Sequence, residues 1–391
     1  MTFGRIIMDR RNWMIAGASL LMAGCKVIPD GPAPTTQAPP PQTGPTTPDA
    51  DRLPTDDTRH LVALLVPLSG DNGAVGKSIA DATTMAILDT NADNLRITTY
   101  DTARGARAAA RRAVGDGNKL ILGPLMADNV SAVLAEARPA DIPLISYSND
   151  ASVAGPDVFI MGHVPSQSIA RTVEFARGRG ANTFAVLKPA GDYGDQAEDA
   201  TRDALRQYGG SLVTVENYAR GNTSIISAAQ RLKQKGGYDA VLIADSARLA
   251  ALAAAELKPT GRGNAQLMGT ELLSGEASIT RNSALRGMLF SAVSDSRFKR
   301  FSDSYSSRFG TQPFRIATLG YDSVLLTLRV AQNWKVGQTF PVSQLRDDDG
   351  FLGLDGVFRF MPNGVVERSM EVREVTNGGV EIVDPAPSKF P

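Results

Sequence analysis

Twice along this chain, short apolar runs alternate with amphipathic, alanine-rich segments, and this rhythm restricts the possible folds more than any single motif. Leu61–Val66 is an unbroken apolar run, as expected of a parallel strand covered on both faces. Pro67-Leu68-Ser69-Gly70 closes it, and Ser78 is expected to start a helix that runs to Leu88. Strands at Leu95–Tyr100, Leu120–Leu122 and Ile142–Ser146 follow, separated by helical stretches at 103–114 and 127–138. The alternation then restarts, with strands at Thr183–Leu187, Leu212–Glu216, Ala240–Ile243 and Gln266–Met268. Helices near 166–179, 195–208, 224–235 and 246–257 accompany them. Such alternation specifies α/β architecture, and there are too many units for one sheet, so two lobes are expected. The tail differs: Val357–Phe360, Val365–Val375 and Val380–Val383, joined by Pro362-Asn363-Gly364 and Asn377-Gly378-Gly379, read as antiparallel hairpins.

The first 58 residues obey other rules. Cys25 is the single cysteine, and it follows an apolar stretch from Trp13 to Gly24 that is preceded by Arg5, Arg10 and Arg11. A basic start, an apolar core and small residues before a thiol give the layout of a lipoprotein leader, with residues 1–24 removed and Cys25 lipidated. The apolar stretch is well short of the roughly 20 residues that span a bilayer as a helix, so the lipid is the expected membrane contact. Residues 25–58 are rich in Pro, Thr, Gln and Gly with few large apolar groups, which is the composition of an extended tether. Lys26, rather than an aspartate, follows the lipidated position, which favours the periplasmic face of the outer membrane over retention in the inner one.

Composition excludes several function classes. Lys plus Arg and Asp plus Glu number 41 each, so the formal net charge is zero and no basic field exists to hold nucleic acid. The two histidines, His60 and His163, have no second ligand at metal spacing, and no cofactor is expected. Asp347-Asp348-Asp349-Gly350 lacks the alternating oxygens of a calcium loop. Gly70, Gly73, Gly76, Lys77 and Ser78 suggest a phosphate-cradling loop, but Asp71 stands where that motif needs glycine and would repel phosphate. No Gly-x-Ser-x-Gly elbow is present, and few bases are available for a nucleophilic triad. The expectation is a protein that is not an enzyme.

In open α/β sheets ligands bind beyond the carboxyl ends of strands, and the loops there carry a recognisable pattern. Leu65-Val66-Pro67-Leu68-Ser69-Gly70 with Gly76, Tyr100-Asp101-Thr102 and Leu122-Gly123-Pro124-Leu125 come first. Ile142-Pro143-Leu144-Ile145-Ser146, Asp192-Tyr193-Gly194 and Leu319-Gly320-Tyr321-Asp322 follow in order. From about residue 60 onward the chain resembles type I periplasmic binding proteins of the leucine/isoleucine/valine-binding class. The resemblance implies two Rossmann-like lobes joined by three crossovers, near 162–166, 287–293 and 338–352. On that division, 59–164 and 289–340 build lobe 1, while 165–288 and 341–391, with the C-terminal strands, build lobe 2.

The same resemblance marks candidate cleft residues. Ser69 and Val75 lie on the first loop, where an aromatic wall is usual just before Gly76. Met126 and Ala127 stand in the loop after Gly-Pro, with Ala127 where amino-acid binders present a serine hydroxyl. Asn149 and Asp150 occupy the loop after Ile142–Ser146, with an acid where a threonine is usual; Asp150 serves equally as a helix cap. Tyr193 and Glu271 match positions that contact ligand from the second lobe. A tethered lipoprotein with an altered amino-acid site resembles the penicillin-binding protein activator branch. That branch implies stimulation of a class A (bifunctional) peptidoglycan synthase by protein contact. The alternative is a solute-binding lipoprotein of an ABC importer, with a permease as partner and a small polar ligand.

Overall fold

Strand β1 (His60–Val66) is the centre from which the first lobe grows, because every second side chain serves a different face. The computed structural model describes residues 56–220, 223–258, 265–276 and 278–390. The expected leader, Cys25 and nearly all of the expected tether lie outside the described residues.

The first sheet is parallel, with order β2-β1-β3-β4-β5, where β2 is Leu95–Asp101, β3 Leu120–Leu122, β4 Leu144–Ser146 and β5 Val158–Ile160. Val62, Leu64 and Val66 pack towards helices α1 (Gly73–Thr90) and α9 (Thr318–Ala331). Ala63 and Leu65 face helices α2 (Ala106–Gly115) and α3 (Val130–Ala137). Helix α2 shows why such segments are helical: Ala106, Ala109, Ala110 and Ala113 form one buried stripe. On its outer face Arg107 and Arg111 meet Glu136 of α3 at 2.6 and 3.0 Å.

The second sheet repeats the plan in the order β15-β14-β10-β9-β8-β6-β7. Here β6 is Thr183–Pro189, β7 Ser211–Tyr218, β8 Ala240–Ile243, β9 Gln266–Met268, β10 Leu289–Ala292, β14 Glu371–Val375 and β15 Val380–Asp384. Its strands run parallel except β14 and β15, which add antiparallel at one edge. Helices α4 (Pro165–Gly178) and α5 (Asp192–Tyr208) cover one face. Helices α6 (Ser224–Lys235) and α7 (Ala247–Leu257) cover the other.

The two sheets share one device at the start of the helix that follows their first strand in the chain, α1 after β1 and α5 after β6. A Cβ on Gly76 would lie 1.8 Å from the Pro67 carbonyl oxygen, and one on Gly194 would lie 1.9 Å from that of Pro189. Only glycine lets the opening turn of α1 and of α5 pass so close over the end of its strand. Gly76 therefore serves packing, and α1 starts at Gly73 rather than at the expected Ser78. The Ser78 hydroxyl instead accepts a 3.1 Å hydrogen bond from the Phe314 backbone amide.

Two of the expected crossovers shift. The first runs from Met161, in the first-lobe core, to Pro165, where α4 begins. The second was expected at 287–293, but Leu289–Ala292 pairs with β9 and β14 inside the second sheet. The chain crosses after it, at 293–297, before α8 (Phe298–Phe309) packs against Ala82 and Met85 of α1. The third was expected at 338–352, with 341–391 assigned to lobe 2. Strands β11 (Phe351–Gly353), β12 (Gly356–Phe360) and β13 (Val366–Arg368) instead form a separate antiparallel sheet. Phe351, Phe358, Phe360 and Val366 are buried in the first-lobe core with Phe159, whose ring meets that of Phe360 edge-on at 5.3 Å. The third crossing is thus the short link between Arg368 and Glu371.

This placement predicts that Phe358→Ala, which empties a fully enclosed site in the first lobe, destabilises the protein by about 3–5 kcal/mol. Equilibrium denaturation followed by a first-lobe probe checks it, and a cost below about 1 kcal/mol would place the phenyl ring outside the core.

Candidate ligand cleft

A cavity of about 510 Å³ opens between the lobes, lined by both of them and by all three crossings. Lobe 1 contributes Asn72, Val75, Leu125, Met126, Ala127, Tyr147, Asn149, Arg315 and Ile316. Lobe 2 contributes Glu271, Leu272 and Ser274, and the crossings contribute His163, Val293 and Met370. Apolar side chains share the lining with polar ones, among them Asp128 and Glu271 as acids and Arg315 as a cation.

The expected site residues divide. Val75, Met126, Ala127, Asn149 and Glu271 line the cavity. Ser69, Asp150 and Tyr193 are not among its walls. Ser69 is exposed on the loop after β1. That loop is fastened by Asp101, whose Oδ1 accepts from the backbone amides of Leu68 and Ala103, each at 2.9 Å. Asp150 caps a short 3-10 turn, accepting from the Ser152 amide at 2.9 Å, so its carboxylate is committed to the backbone. Tyr193 acts one step behind the wall: its hydroxyl is 2.8 Å from Thr270 Oγ1 and donates to Glu271 Oε1 at 3.1 Å.

Glu271 is the most informative of these. Its Oε2 is shielded from water and has no hydrogen-bond partner, although the residue as a whole is only half-buried. Burial pushes the carboxyl up to about 7, against the smaller opposing effect of its hydrogen bonds, including that from Tyr193.

The sequence reading missed the polar cluster behind the cavity. Asp355, in the turn between β11 and β12, has no exposed side-chain surface and accepts three bonds. They come from His163 Nε2 at 2.8 Å, Arg315 Nη1 at 2.5 Å and Thr318 Oγ1 at 3.0 Å. Burial opposes ionisation of Asp355, but Arg315, His163 and Arg368 outweigh it and hold the carboxyl far below its ordinary range. Burial pushes His163 below its ordinary value, so it is a neutral imidazole near pH 7, with Nε2 carrying the proton towards the carboxylate. Arg368, buried on the third crossing, donates from Nη2 to the Met161 carbonyl on the first, at 2.6 Å. Asp322 accepts from the Leu354 amide at 2.7 Å, and burial together with the charge on Asp355 pushes its carboxyl up. A second set ties Arg373 of β14 to Asp295 on the second crossing at 2.6 Å, and Asp295 faces Arg315 Nε at 3.4 Å. A titratable residue from each crossing, His163, Asp295 and Arg368, therefore joins one network.

With this geometry the comparisons with known proteins can be placed. The sequence profile of the periplasmic binding protein family matches residues 61–379, so the chain belongs to that family. Among curated proteins, an uncharacterized protein of Rickettsia prowazekii is 28% identical over 173 residues, covering 44% of this chain and 46% of that protein. The penicillin-binding protein activator LpoA of Photobacterium profundum is 26% identical over 164 residues, covering 40% of this chain and 26% of that protein. The chain thus spans less than half the length of these curated relatives. A putative branched-chain amino acid ABC transporter from Rhodospirillum rubrum superposes with a TM-score of 0.71 at 21% identity, covering 83% of this chain and all (100%) of that one. Full-length LpoA from Haemophilus influenzae gives 0.66 at 19% identity, covering 84% of this chain and 60% of that one. These two likenesses show the fold.

The raised carboxyl of Glu271 has a stability consequence with a definite sign. Between the ordinary glutamate value of 4.5 and about 7 the native state binds the extra proton, so stability falls as pH rises through that window. Glu271→Gln should flatten this part of the stability–pH profile, matching the parent near pH 4.5 and exceeding it at pH 8. Urea midpoints at several pH values check this, and parallel profiles for the two proteins would contradict it.

Proposed function

We propose that this protein is a lipid-anchored, non-enzymatic activator on the periplasmic side of the cell envelope that stimulates a class A penicillin-binding protein by contact. The observation that carries this reading is the lobe 1 wall: Ala127 stands where amino-acid binders of the family offer a hydroxyl, with Met126 beside it, and Asp150 caps a turn. Support comes from the matches to penicillin-binding protein activators in sequence and in fold. In the Cys25-anchored form the Pro-rich segment 25–58 acts as the spacer between outer membrane and folded body. One specific observation favours a second reading, a solute-binding protein for an ABC permease: the interlobe cavity keeps a shielded Glu271 oxygen without a partner.

Affinity capture of the full chain from crosslinked envelopes separates the two. Recovery of a class A penicillin-binding protein is expected, and recovery of a permease with its ATPase in its place would transfer the protein to transport. For the anchor, Cys25→Ser should move the protein from the membrane fraction to the soluble one. Retention of the variant in membranes would remove the lipid from the account.

A further inference from the structure

Two ionic clamps meet at the second crossing, one fixed to each lobe. On the lobe 2 side, Arg373 of β14 donates from Nη1 to Asp295 Oδ2 at 2.6 Å and from Nη2 to the Val293 carbonyl at 2.7 Å. Its Nε donates to Glu371 Oε1 at 2.7 Å, so Asp295 is carried with lobe 2. On the lobe 1 side, Arg315 Nη1 donates to Asp355 at 2.5 Å and to Thr318 Oγ1 at 3.3 Å, and the guanidinium lies 4.4 Å over the Phe298 ring. Between the clamps one bond is left unmade. Arg315 Nε and Asp295 Oδ1 are 3.4 Å apart, both are closed to water, and neither has a hydrogen-bond partner. Arg315 Nη2 is closed and unpartnered as well, so the whole Nε–Nη2 edge, the side of a guanidinium that grips a carboxylate, is unused. An N–H···O bond closes near 2.9 Å, so a displacement of about half an ångström makes it. A shielded donor and acceptor that face each other unbonded carry the desolvation cost of both groups.

We propose that Asp295 is an interlobe latch: the folded body has a second arrangement of its lobes in which this carboxylate closes onto the Nε–Nη2 edge of Arg315. Arg373 and Arg315 keep their own lobes in both arrangements, and the Asp295–Arg315 bond is what is made or lost. Packed interfaces switch between discrete arrangements rather than deform continuously. Because the lobes turn as bodies about three short crossings, a small shift at the second crossing grows at helices remote from it. The structure holds the latch open, and closing it gains a charge-assisted bond. The Asp295 side chain is 44% exposed, so dissolved salt competes with the closed latch. This inference concerns the crossings and holds whichever partner the protein has.

Electron–electron distance measurement between nitroxide labels on the purified full chain tests it, with Cys25→Ser removing the native thiol. One label pair is Ser131→Cys on α3 with Gln207→Cys on α5, and the other is Thr84→Cys on α1 with Gln234→Cys on α6, all exposed positions. The parent is expected to show two separations in at least one pair. Asp295→Asn keeps an oxygen for Arg373 but loses the charge that Arg315 grips, and should deplete one separation about fivefold, as fits one partly exposed charged bond. Raising NaCl to about 1 M should deplete the same separation in the parent and leave Asp295→Asn as it was. Asp303→Asn, an equal change of charge on the exposed face of α8, should keep the parental distances. Circular dichroism confirms the fold of each variant. A single separation in both parental pairs, distances unchanged by Asp295→Asn, an equal salt response in parent and variant, or the same depletion in Asp303→Asn would overturn the proposal. Synthase capture reads none of these distances, so either reading can fail alone.

Discussion

The buried carboxylate of Asp355 is the interaction on which the relation between the lobes depends. A charge removed from water is costly unless it is paired and hydrogen-bonded, and here the pairing is supplied by separate stretches of chain. His163 comes from the first crossing, while Arg315 and Thr318 precede and open α9. Arg368 and the Arg373–Asp295 pair extend the network to the other two crossings. A change in the angle between the lobes therefore has to respect one shared set of buried charges. His163 and Arg315 also form part of the cavity wall, so the ion network and the cleft share two side chains.

The cleft keeps the architecture of its family while changing the chemistry of its walls. In both lobes the helix after the first strand opens through a glycine, Gly76 or Gly194, on which a Cβ would lie under 2 Å from a carbonyl oxygen at the end of that strand. Tyr193, next to the second of these glycines, orients Glu271 rather than meeting the cavity itself. On lobe 1 Ala127 stands where an amino-acid binder of the family is expected to offer a hydroxyl, and Met126 lines the cavity beside it. Apolar contact residues of this kind suit a broad ligand body, with the few polar groups setting orientation.

Much of the fold was legible. Leu120–Leu122, Ala240–Ile243 and Gln266–Met268 form strands at the positions their apolar runs mark. The segments without expected elements explain themselves physically. Strands β5 and β10 had no expected element; β10 fell in the stretch 287–293 that was expected to be a crossover. Helix α9 is buried over most of its surface between α1 and the third sheet, so it has no polar stripe to reveal its period. Of the site, Val75, Met126, Ala127, Asn149 and Glu271 were legible through the family resemblance of the motifs around them. Arg315 and Asp355 were not, because nothing local distinguishes them from surface charges. His163 and its carboxylate partner are 192 residues apart.

What the sequence by itself determined was the local grammar: which stretches are strands or helices, and that two parallel sheets must be built. Those properties follow from apolar periodicity and turn chemistry within a dozen residues, which the chain carries wherever it folds. Only the tertiary structure decided that residues 351–366 join the first lobe, that Asp150 caps a turn, and that a carboxylate with its distant partners anchors the hinge. Each of those outcomes depends on which surfaces meet, and a short antiparallel strand or a lone charged side chain satisfies many partners equally until packing selects one.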